Sequence, residues 1–145
     1  MKKIILSIFL FSLIQINAIA QENGIVVSAE WARPVIVAGR PGGAYFHVQN
    51  NGSEDDKLVS VTSSVASRVE IHEHTMTDGV MKMSQVMGVD VPAGGSIQFK
   101  PGGYHIMLFD TDKKYGPGDK IDLTLEFEKA GAIEKMVGVF AKQPE

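Results

Sequence analysis

The chain has 145 residues, 44% of them hydrophobic, with 14 basic and 17 acidic side chains, a formal charge of −3 and no cysteine. That length and composition allow one domain with its own core, and the acidic balance, without a basic stripe interleaved with aromatics, argues against nucleic acid as a partner. Without a thiol there is no disulfide staple, no Cys nucleophile, no dithiol chemistry and no His2Cys blue-copper set.

At the N-terminus, Lys2 and Lys3 precede the apolar run IILSIFLFSLI, and Ala18-Ile19-Ala20 closes the segment with small residues. This order predicts a secretory signal over residues 1–20, cleaved to leave a mature domain of residues 21–145. The apolar run is too short for a membrane span, so no stable insertion is expected after cleavage, and no cysteine follows it to accept a lipid. Cleavage would remove two lysines and no acid, leaving 12 basic against 17 acidic residues and a net charge of −5. Such a domain favours a positively charged or metal-bearing partner.

Beyond the signal, period-two alternation predicts strands near 25–33, 43–49, 57–62, 67–73, 79–86, 96–100, 104–109, 120–127 and 133–140. They are separated by Arg40-Pro41-Gly42-Gly43, Asn50-Asn51-Gly52-Ser53, Pro92-Ala93-Gly94-Gly95, Pro101-Gly102-Gly103 and Gly116-Pro117-Gly118-Asp119. No long amphipathic helix and no repeat is evident. The expected class is all-β, an antiparallel sandwich or barrel. Trp31, beside Arg33 and Pro34, is read as a core residue because it supplies a large apolar area.

The chemistry concentrates between residues 72 and 107, which hold five of the seven methionines and three of the four histidines. On 104–109, Ile106 and Leu108 alternate with His105, Met107 and Phe109, so Met107 lies off the core face. On 67–73, Val69 and Ile71 leave Glu70 and His72 on the opposite face, and Met81, Met83 and Gln85 share a side further on. Two such strands side by side bring His72, Met83, His105 and Met107 together. Imidazole with thioether selects copper as Cu(I) over hard cations; zinc draws on Cys, His and carboxylate instead. A single Met is more often a core filler, so the weight rests on the clustering, and His47 is read as an ordinary strand residue. Pro101-Gly102-Gly103 would set His105 and Met107 near a rim. The segment 73–79 reads as a loop able to close over a metal, with Glu73 and Asp78 as acids that could offset its charge.

His72, ten residues, Met83, twenty-one residues, then His105-Ile106-Met107 resembles the signature of the periplasmic copper(I) chaperone family known as PCuAC. GVMKM at 79–83, VPAGGSIQFKPGGYHIML at 91–108, WARP at 31–34 and GGAYFHVQN at 42–50 agree with it. The resemblance implies a cupredoxin-like Greek-key fold and one Cu(I) on His72, Met83, His105 and Met107. It also implies delivery to a copper acceptor such as cytochrome c oxidase subunit II or a thiol-bearing assembly factor. His74 and Met76 are extra potential ligands beyond that pattern. The expected function is a periplasmic Cu(I) carrier rather than an enzyme, since no Ser/His/Asp constellation is visible. The alternatives are a copper-buffering protein with the same site and an Ig-like adhesion or assembly module whose methionines only pack.

Overall fold

The computed structural model describes residues 24–145; the signal predicted over residues 1–20 lies outside the described residues. Among them there are ten strands and no helix: β1 (Ile25–Ala32), β2 (Gly42–Asn50), β3 (Asp56–Thr62), β4 (Ala66–Thr77), β5 (Val80–Gln85), β6 (Val89–Val91), β7 (Ser96–Phe99), β8 (Tyr104–Thr111), β9 (Lys120–Phe127) and β10 (Gly131–Val139). They form one sheet in the order β5-β4-β8-β7-β2-β1-β10-β9-β3-β6, with β2 also pairing β8. The pairing is antiparallel except for β1 with β10 and β7 with β8. The sheet folds back on itself far enough for β3 to approach β4.

Alternation places one face of each strand inside. Ile71, Ile106 and Leu108 from one half meet Leu58, Leu123, Leu125 and Phe127 from the other, with Phe46 stacked on Phe99 at 4.3 Å. Ile106 and Leu108 are buried and peg β8 to this core, which holds the intervening His105 and Met107 on the opposite face. Ile106→Ala would cost about 2–5 kcal/mol and loosen that strand.

Three local features depart from the sequence expectation. β4 runs on to Thr77, so the segment expected to be a closing loop is a hairpin arm: Thr77 pairs Val80 across Asp78-Gly79. Both turn residues have positive φ, 52° and 76°, the two-residue turn that suits the twist of flanking strands. β6 is a three-residue strand, too short for its alternation to register, yet it pairs with Asp56–Leu58.

The third departure concerns Trp31. It is buried and packed, as its apolar area predicts, but outside the main cluster, stacked on Tyr45 at 4.5 Å on the outer face. Between Ser28 and Trp31 the register with β2 shifts, two residues, Ala29 and Glu30, opposing one, Phe46, with Ala29 at φ 53°. This bulge reverses the alternation started by the buried Ile25 and Val27, turning Trp31 outward and Ala32 inward.

Candidate metal centre

β4 and β8 pair with His72 opposite His105 and Glu70 opposite Met107. Across the hairpin, His74 is opposite Met83 and Met76 opposite Met81. Directly opposed residues point to the same side of an antiparallel pair. His72, His74, Met83, His105 and Met107 therefore share the face turned away from the core, where Gly43 lies opposite Met107. A side chain at Gly43 would come within 3.1 Å of the Tyr45 hydroxyl, so glycine there leaves the tyrosine its place.

His74, Met83, His105 and Met107 line an open cleft of about 290 Å³, walled by Arg33, Tyr45, Pro101 and Gly102. The Arg33 guanidinium lies 5.7 Å from the Tyr45 ring centre. The turn before β8 contributes directly: Gly103 N–H donates to Lys100 O at 3.0 Å, closing the turn, and Gly103 O accepts from the His105 ring at 2.9 Å. A carbonyl can only accept, so Nδ1 carries the proton and Nε2 keeps its lone pair free for a metal. Burial pushes the His105 pKa below its ordinary value, against the opposing pull of the Gly103 carbonyl. The imidazole is thus held neutral, as a ligand must be.

His72 is buried beside His105, with ring centres 5.8 Å apart, and 6.1 Å from Phe109. Its Nε2 is 2.7 Å from a Glu70 oxygen, and Glu70 is also bound by Arg68. The hydrogen bond from His72, ahead of Arg68, holds the Glu70 carboxyl below the usual range. His72 Nδ1 and His74 Nδ1 are both buried with no hydrogen-bond partner among the described residues. A buried polar atom left unpaired carries a penalty; at His72, whose Nε2 faces Glu70, the neutral ring leaves Nδ1 with its lone pair unused. Among the described residues no three His or carboxylate groups gather in a metal-holding arrangement; the soft donors beside His74 and His105 in this cleft are the thioethers of Met83 and Met107.

The four residues expected from the sequence are therefore brought to one face, three lining the cleft and His72 bordering it. The acid beside the site is Glu70. Of the two acids that could offset a bound ion's charge, Glu73 is opposite Tyr104, on the other side of β4, and Asp78 sits at the hairpin turn. The two-residue spacing of Glu70 and His72 was the available signal. Met76 and Met81 lie further out on the hairpin, and Met87 is 87% exposed beyond β5.

The all-β fold is cupredoxin-like, the architecture of PCuAC domains. The match to a family model over residues 25–139 shows that the chain belongs to the LpqE-like family. A protein of Leifsonia xyli subsp. xyli (strain CTCB07) named as lipoprotein Lxx21020 is 37% identical over 109 residues, 74% of this chain and 64% of that protein. Protein RP573 of Rickettsia prowazekii (strain Madrid E) is 34% identical over 102 residues, 68% of this chain and 56% of that protein. The chain thus spans less than two thirds of either relative. Among solved structures, the apo PCuAC domain from PmoF1 superposes with a TM-score of 0.69 at 27% identity, covering 82% of this chain and 95% of that one. The copper-bound PCuAC domain from PmoF2 gives 0.69 at 25% identity, covering 82% and 94%.

Proposed function

We propose that this protein is an exported Cu(I) carrier that holds one ion through His72, Met83, His105 and Met107 and passes it to an acceptor by ligand exchange. The observation that carries the reading is the register of β4, β5 and β8, which sets imidazoles and thioethers around an open cleft with unpaired ring nitrogens facing no protein partner. The copper-bound state of the PmoF2 domain supports it, as does the name of the Leifsonia relative for a place in the cell envelope, the periplasm in this reading. Neutral, soft ligands suit a carrier, because each thioether can be replaced by an acceptor's ligand without expelling a bare ion. The role is a carrier's rather than a catalyst's, and the acceptor we assign is a respiratory oxidase copper centre or its assembly factor. Anaerobic Cu(I) titration against a competing chelator, with X-ray absorption on the loaded protein, tests the first part. One ion per chain with both nitrogen and sulfur neighbours is expected, and zinc binding as tight as Cu(I) would overturn it. Oxidase activity at low copper in a strain lacking the protein tests delivery; unchanged activity would leave a buffering role instead.

A further inference from the structure

The centre contains one more imidazole than the proposed ligand set uses. His74 stands opposite Met83, lines the same cleft as Met83, His105 and Met107, and stacks on His105 with ring centres 4.7 Å apart and planes 19° apart. Its backbone N–H donates to Gly103 O at 3.3 Å, the same carbonyl that takes the His105 ring proton. One turn carbonyl thereby ties the His74 backbone to the His105 ring. Its Nδ1 is buried and unpartnered.

The cleft lining discriminates between the two candidates. His74 lines the cleft with Met83, His105 and Met107, whereas His72 does not, and the Nε2 of His72 is engaged by Glu70. The His74 and His105 rings lie near-parallel here; an imidazole lone pair lies in its ring plane, so one ring turns about its side-chain bonds to bring both nitrogens onto one ion. Since three such groups do not gather at one point among the described residues, His72 and His74 are alternatives beside His105 rather than simultaneous ligands.

We propose that His74 is a copper ligand of this centre, exchanging with His72 as the second imidazole beside His105. The outer set is His74, His105, Met83 and Met107; the inner set has His72 in place of His74. His74 lies nearer the hairpin end, so an ion arriving or leaving trades one imidazole for the other while His105 and a thioether keep hold of it. The exchange is of neutral ligands, with no change in the oxidation state of copper. This inference rests on the copper reading above.

The test uses the whole protein and anaerobic Cu(I), comparing wild type with His72→Gln, His74→Gln and the double variant. If the two imidazoles substitute for each other, each single change costs less than about tenfold in affinity, and the double change costs at least about tenfold more than the product of the singles, the non-additivity of sites that share a role. A double variant no weaker than His72→Gln would overturn the assignment of His74. A second readout needs no substitution: in long-range proton–nitrogen NMR spectra of the wild type, a His74 ring nitrogen should shift on adding Cu(I), and an unmoved His74 signal beside a shifted His105 overturns the proposal even where the double variant fails to fold. A wild type that takes up no Cu(I) sinks the carrier reading as well, whereas a binding wild type with an inert His74 sinks only this inference.

Discussion

Replacing the two thioethers by Leu separates a ligand from a packing residue. Met83 is 47% exposed on the outermost strand and Met107 is partly buried on β8. Met→Leu conserves volume and polarity, so each change should cost less than about 1.5 kcal/mol of stability, and at the half-exposed Met83 only a fraction of that. Copper affinity should respond on another scale. Disturbing groups that merely orient ligands already costs 10–100-fold, so loss of a ligand atom should cost at least about 100-fold, or roughly 2.8 kcal/mol. Met81 does not rescue Met83: it pairs with Met76, two residues further along β5, which places it about 7 Å away along the strand. Urea unfolding of the apoprotein and anaerobic chelator competition should therefore show Met83→Leu and Met107→Leu folded but weakened for Cu(I), with Met81→Leu near wild type. An unchanged affinity in the folded Met83→Leu, Met107→Leu double variant would refute the reasoning.

Burial lowers the His105 pKa. Its share of apoprotein stability is thus complete above the unfolded value near ~6.5 and is lost as pH falls towards the folded one, because the unfolded chain takes a proton the folded chain resists. Melting temperatures of wild type and His105→Gln should converge over that acid limb, and parallel curves would count against it. Tyr45 and Tyr104 are raised chiefly by burial, and Tyr115 to about 12 by burial and its hydrogen bond to Asp112; these are all three tyrosines of the chain. Phenolate absorbance should therefore appear only above the ordinary midpoint near ~10, and a normal titrating tyrosine in the folded protein would contradict the packing. Trp31, the sole tryptophan, stacks on Tyr45 at the wall of the cleft; its fluorescence should change on Cu(I) binding, and an indifferent signal would place the ion elsewhere. Ala29→Gly should raise the unfolding free energy by up to about 1 kcal/mol, and the urea midpoint with it, the left-handed backbone of Ala29 costing an L-residue about 1–2 kcal/mol against the greater unfolded freedom of glycine. A lowered midpoint would deny strain at the bulge.

Alternation alone was enough to place Ile106 and Leu108 inside and His105 and Met107 outside, because β8 has one buried and one open face. The face taken by Trp31 was not legible, because the Ala29 bulge inserts a residue that no period can reveal. The Asp78-Gly79 turn was legible in principle, as Asp-Gly is a hairpin signal, but the polar residues around it read as loop. Glu70 and His74 lay on the right face by counting. Their contacts, one with His72 and one with His105, depend on rotamers and on the position of the Gly103 carbonyl, which follow from the folded neighbours rather than from the local sequence.

Among the described residues β5 is bonded only through β4, its other edge has no paired strand, and every residue in it is exposed. Terminal hairpins of this kind open locally at far less free energy than global unfolding requires. An ion bridging Met83 to β8 would act as a clasp across that seam, so amide hydrogens of the hairpin should exchange more slowly with the metal aboard, and peeling back one strand would release the cargo while the hydrophobic interior stays intact.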